Sequence, residues 1–143
     1  MAFLLDTNVV SELRKKSRCH PSVAAWQDAI QGGQVYISAI SMMEIKLGVI
    51  AARRKNPEFS TVLNEWYEMQ VKPAFHKRVI PVDLAVSECC SVFLSQRTRP
   101  LADALIAATA HAHGLILATR NLADFSDTGI DLVDPWDWGG RIS

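Results

Sequence analysis

Apolar residues along this chain fall into short unbroken runs, separated by longer stretches in which they recur every three to four positions. Five runs predict strands: Phe3 to Leu5, Val35 to Ser38, Val79 to Val82, Leu115 to Ala118 and Asp131 to Val133. None alternates polar with apolar, so each is expected to be covered on both faces, the habit of a strand in a parallel sheet. Pro81 cannot donate a ladder hydrogen bond, which assigns the third run to a sheet edge.

The stretches between the runs carry helix start and stop signals. Pro21 opens Ser22 to Gln31, which Gly32-Gly33 end; Ser41 opens a helix to about Lys55, which Asn56-Pro57 end; Phe59 to Val71 follows. Residues 83–97 and 100–113 predict two more, with Pro100 in a first turn and Gly114 as a C-cap. On 41–55, Met42, Ile45, Val49 and Ala52 form one apolar stripe and Met43, Leu47 and Ile50 another. One stripe can face a sheet while the other meets a partner. The alanines of 100–113 let that backbone approach the sheet closely. The order of elements predicts a single domain over 1–143, an α/β fold of three layers, α/β/α, around a mostly parallel five-stranded sheet.

That topology gives four acids a common address. Ligands of an open parallel sheet bind outside the carboxyl ends of its strands, where the strand order reverses. Asp6 ends the first run and Asp124 lies in the turn after the fourth. Glu44 and Asp103 stand in first turns of helices that run antiparallel to the strands, so both reach the same edge. Each acid has a local alternative. Ser41-Met42-Met43-Glu44 has capping-box spacing, Asp6 can N-cap a helix beginning at Thr7, Asp103 suits a helix dipole, and Asp124 can be a turn residue. Those roles do not explain convergence on one crevice. Four like charges there oppose one another's ionisation, and oxygen-only ligands suit a hard divalent cation such as Mg²⁺ or Mn²⁺. Such a site hydrolyses phosphodiesters.

The charge balance is zero, with 15 basic and 15 acidic residues, so the whole molecule does not advertise a polyanionic partner. The bases cluster at Arg14-Lys15-Lys16-Ser17-Arg18, Arg53-Arg54-Lys55, Lys77-Arg78, Arg97 and Arg99, apart from the four acids. They are either solvated helix ends or a basic rim for nucleic acid. Cys19, Cys89 and Cys90 offer neither a disulfide framework nor a CxxC metal spacing. The first apolar run meets Asp6 at once, which is not a signal peptide, and no uncharged apolar stretch is long enough to span a bilayer. A cytoplasmic protein is expected.

Four segments together resemble the PIN-domain ribonucleases: Leu4-Leu5-Asp6-Thr7-Asn8-Val9-Val10-Ser11, Ser38-Ala39-Ile40-Ser41-Met42-Met43-Glu44-Ile45-Lys46-Leu47-Gly48, Ala102-Asp103-Ala104-Leu105-Ile106-Ala107-Ala108-Thr109-Ala110 and Ala118-Thr119-Arg120-Asn121. More narrowly, the chain is similar to VapC- and FitB-type toxins of toxin-antitoxin pairs, from Met1 to about Trp136. The resemblance implies Mg²⁺ or Mn²⁺ held by Asp6, Glu44 and Asp103, with a fourth acid after the fourth strand. The sequence departs from part of the family there, carrying the amide Asn121 where some members have an acid, and Asp124 is the nearest carboxylate. Thr7, Asn8, Ser38 and Thr119 are candidates to orient the acids or the scissile phosphate, and Arg120 to contact phosphate. An RNA substrate, a cognate antitoxin whose tail lies in a groove, and a homodimer complete the implied picture.

Two other readings compete. An apolar strand followed by Asp6-Thr7-Asn8 is similar to the start of an Asp-nucleophile phosphotransferase, but that chemistry wants an acid two residues on, and Asn8 cannot donate the proton. A catalytically idle PIN-like binding module would keep the fold without the reaction.

Overall fold

The computed structural model describes residues 1–31 and 33–139. Five strands, β1 (Ala2–Leu5), β2 (Gln34–Ser38), β3 (Val79–Ile80), β4 (Ile116–Ala118) and β5 (Leu132–Val133), form one sheet in the order β3-β2-β1-β4-β5. Every pairing is parallel, so the sheet is wholly rather than mostly parallel. β3 lies at the edge as Pro81 requires, and stops at Ile80 just before it.

Period two in β1 explains its unbroken hydrophobicity. Phe3 and Leu5 join one core with Val9, Trp26, Ile37 and Val49, whereas Leu4 joins the other with Phe93, Ile106 and Leu117. Helices cover both faces: α1 (Thr7–Leu13), α2 (Pro21–Ala29), α3 (Ala39–Lys55), α4 (Pro57–Trp66), α5 (Lys72–Ala74), α6 (Leu84–Gln96), α7 (Leu101–His113) and the short α8 (Leu122–Phe125). Ala104, Ala107 and Ala108 are fully buried on α7, which keeps that helix close to the sheet. Gly114 ends it at φ 63°, the left-handed conformation that a residue without Cβ adopts freely. Of the Gly32-Gly33 stop expected after α2, Gly32 lies outside the described residues. No helix among those described is long and apolar enough to cross a membrane.

Three boundaries differ from expectation. α4 starts at Pro57, because Asn56 both ends α3 and caps α4, its Oδ1 accepting from the Phe59 amide at 3.1 Å. Beyond Trp66 the chain continues through a wider turn, Tyr67–Val71, into α5. The third difference concerns a candidate site residue: the capping box at Ser41 and Glu44 does not form. β2 runs to Ser38, which pairs with Ile80, and the chain turns straight into α3 there; the Ser38 hydroxyl caps by accepting from the Ile40 amide at 3.0 Å. Ser41 is buried one turn later, its hydroxyl without a partner among the described residues.

A pair of substitutions separates the two serines. Ser38→Ala should cost about 1 kcal/mol as a lost N-cap. Ser41→Ala should be neutral or stabilising, because it removes an unpaired buried hydroxyl. Chemical denaturation of both variants checks this, and a larger loss at Ser41 would contradict the assignment.

α3 also sorts its two stripes. Ile45 and Val49 are buried against the sheet, while Met43, Leu47 and Ile50 are 54%, 60% and 46% exposed. The second stripe therefore stays on the surface.

Candidate active site

The strand order reverses between β1 and β4, and the residues that follow those two strands meet. Asp6 continues the ladder, its amide donating to the Ala118 carbonyl at 2.9 Å, and its side chain caps α1. Oδ1 accepts from the Thr7 amide at 2.8 Å, and Oδ2 accepts from the Thr119 hydroxyl at 2.7 Å. Thr119 is fully buried, and its oxygen in turn accepts from the Asn121 amide at 3.0 Å. The Thr7 hydroxyl donates to Glu44 Oε1 at 2.6 Å, linking α1 to α3. Thr7 and Thr119 thus hydrogen-bond Glu44 and Asp6.

Asp6 is only 6% exposed, so its charge is expensive to keep. Burial pushes its carboxyl above the usual aspartate range, against the hydrogen bonds from Thr119 and Thr7 that pull it down; the charges of Asp103 and Glu44 add to the rise. Asp103, in the first turn of α7, is also raised, by burial first and then by Asp124 and Glu44, with Arg99 opposing. The four predicted acids therefore act on one another electrostatically. Among the described residues none of the four forms a salt bridge, the ion pairs being made by Glu12, Glu68 and Asp127.

The donor set fits a hard cation: carboxylates that repel one another, flanked by hydroxyls, with none of the four acids in a salt bridge among the described residues. Their charges bear on one another, yet no three His, Cys, Asp or Glu side chains among the described residues are grouped as a ready-made metal site.

Asn121 and Asp124 differ in their surroundings. Asn121 precedes α8 and makes no side-chain cap, whereas Asp124, exposed on α8, is the residue whose charge bears on Asp103. Asn8 Oδ1 accepts from the Arg120 amide at a long 3.5 Å, and the Ser38 hydroxyl caps α3. The Arg120 guanidinium lies 5.1 Å from the Trp136 ring centre, and Trp136 and Trp138 pack onto the core.

The bases divide differently from a uniform rim. Arg14 lies over the rings of Phe59 at 5.6 Å and Trp66 at 5.9 Å, beside a groove of about 210 Å³ that runs from Thr7 and Glu44 to these aromatics. Arg97 and Arg99 instead bind Asp127, and the Arg99 side chain is 3% exposed, so it is neither a solvated helix end nor part of a rim. Sequence reasoning missed Asp127 as its partner, because nothing in the local pattern links positions 28 residues apart.

Residues 3–130 match the family described as PIN domain. The chain is 37% identical over 139 residues to the VapC ribonuclease Y4jK of Sinorhizobium fredii, covering 94% of this chain and 97% of that protein. It is equally 37% identical over 139 residues to the toxin FitB of Neisseria gonorrhoeae, covering 93% of this chain and 97% of FitB. The crystal structure of FitAcB from Neisseria gonorrhoeae superposes with a TM-score of 0.83 at 34% identity, covering 95% of this chain and 99% of that one.

Proposed function

Since the chain belongs to the PIN-domain family, among its VapC- and FitB-like toxins, we propose that it is a ribonuclease whose hydrolysis of RNA runs through Asp6, Glu44, Asp103 and Asp124 with Mg²⁺ or Mn²⁺. What supports this reading is that Asp6 leaves β1 beside β4 where the strand order reverses, that the charges of Glu44, Asp103 and Asp124 act on it or on one another, and that none of the four forms a salt bridge among the described residues. Asp6, Asp103 and Glu44 hold the cation in this reading, with Asp124 rather than Asn121 as the fourth acid. A bound divalent cation supplies a more acidic water and stabilises charge developing on phosphate oxygens.

The chain's own residues do the rest. Thr119 and the Thr7 amide fix both oxygens of Asp6, and Thr7 orients Glu44, so two acids are aimed by donors that themselves sit at strand and helix ends. The Asn8 amide is too weak an acid to protonate a leaving group, and its oxygen accepts from backbone, which leaves the Asp-nucleophile reading without its acid. A FitAcB complex and a FitAB complex bound to an IR36 DNA fragment are known for its relatives. The groove from Glu44 past Arg14 to Phe59 and Trp66 suits the tail of such an antitoxin.

The test is incubation with a defined RNA pool. Discrete fragments are expected with Mg²⁺ or Mn²⁺, and none with EDTA. RNA left intact under both conditions would sink the reading in favour of an idle binding module.

A further inference from the structure

Arg99 is the least exposed charged end among the ion pairs, with 3% of its side chain accessible against 46% for Arg97 and 41% for Asp127. A guanidinium cannot shed its charge, so burying one demands an anion in good geometry. Asp127 supplies it. Arg99 Nη2 donates to Oδ2 at 2.8 Å and Nη1 to Oδ1 at 3.4 Å, while Arg97 Nε approaches the same Oδ2 at 3.0 Å. A fourth tie runs from Arg97 Nη2 to the Asp124 carbonyl at 2.9 Å, and Arg99 lies 5.9 Å from the Phe93 ring centre.

These bonds join two segments far apart in sequence. The first is the loop that leads into α7, with Asp103 on its first turn; the second is α8 and the turn after it, with Asp124 on that helix. α8 is four residues long and has no side-chain N-cap, so it has no stability of its own. The like charges of Asp103 and Asp124 favour separation of the two segments. The two arginines oppose that separation without touching either carboxylate.

We propose that the Arg97–Asp127–Arg99 bridge is a positioning device for cation binding: it pins α8 to the start of α7 and so keeps Asp103 and Asp124 within reach of one divalent ion. The proposal rests on the reading of the four acids given above. Arg97, Arg99 and Asp127 are positioning residues, acting through Asp103 and Asp124.

The test is Mn²⁺ titration calorimetry on the full chain, comparing wild type with Asp127→Asn, Arg97→Gln and Val23→Ala. Arg97→Gln loses the tie to the Asp124 carbonyl without stranding a buried charge, so it tests the proposal even where Asp127→Asn folds poorly. Val23, buried on α2, serves as a control that lowers stability away from the bridge. Asp127→Asn and Arg97→Gln should weaken Mn²⁺ binding by about 10-fold or more, as residues behind metal ligands commonly do, and recover the wild-type maximal cleavage rate at high Mn²⁺. Val23→Ala should leave the affinity unchanged. Unaltered affinity in both bridge variants, or an equal loss in Val23→Ala, would overturn the proposal. A wild type that binds no Mn²⁺ would instead overturn the reading of the acids themselves.

Discussion

Asp6→Asn is expected to lose about a thousandfold in RNA cleavage while remaining folded. A cation at such a site contributes several kcal/mol of charge stabilisation, and each 1.4 kcal/mol or so is a factor of ten, so removing its central ligand costs on the order of three decades. The fold should survive for local reasons. Asparagine caps a helix about as well as aspartate, and the amide oxygen can still accept from the Thr7 backbone. The Thr119 hydroxyl can accept from the new amide group as well as from the Asn121 amide. Repulsion from Asp103 and Glu44 also disappears, so thermal stability without metal should stay level or rise. Cleavage by the variant at the wild-type rate would remove Asp6 from the mechanism; a collapse of stability would mean that its role is structural.

The second large effect is stabilisation by the cation. Mn²⁺ at about 100 times its dissociation constant should add about 2.7 kcal/mol to the folded state. For a chain of 143 residues, at about 3 °C per kcal/mol, this is a rise in Tm of about 8 °C. Its pH dependence follows from the raised carboxyls of Asp6 and Asp103. A raised carboxyl binds its proton more tightly when folded, so its contribution is fully present below the unfolded pKa and is lost as pH rises through the folded one. The metal-free chain therefore carries this penalty at neutral pH, and a bound cation would relieve it. As pH falls toward the raised values, protons compete for the same oxygens, and the gain from Mn²⁺ should shrink. Glu12, lowered chiefly by its bond from Lys15, works in the opposite sense, its contribution lost on acidification. Comparison with Asp6→Asn at each pH isolates the site. A Tm that ignores Mn²⁺ at neutral pH would contradict the account.

Much of this was legible in the sequence because local pattern and global topology agree. Phe3-Leu4-Leu5 is apolar on both faces and stops at an acid, which is what a central parallel strand ending at a ligand-binding edge requires. The place of Asp103 in the first turn of α7 was legible because Pro100 and the alanines behind it mark that helix. The cap of α3 was not. Ser38 and Ser41 are both chemically suited, and the choice is made by where β2 stops pairing with β3, a tertiary fact. The inward turn of Arg99 was illegible for the same reason, since its partner arrives only after α7, β4 and α8 have folded past it. Asp124 lies between these cases. Its distance from the Thr119-Arg120-Asn121 segment made it doubtful by spacing, and the geometry of α8 brings its charge to bear on Asp103.

The most direct measurement takes the chain stripped with EDTA, adds Mn²⁺ in steps, and follows both the cleavage rate on one defined RNA and the Tm. The expected result is that the rate rises from near zero and saturates over the same concentrations that raise the Tm, with both responses absent in Asp6→Asn. Cleavage that persists in the stripped chain and ignores added Mn²⁺, with a flat Tm, would contradict the claim that these acids work through a shared cation.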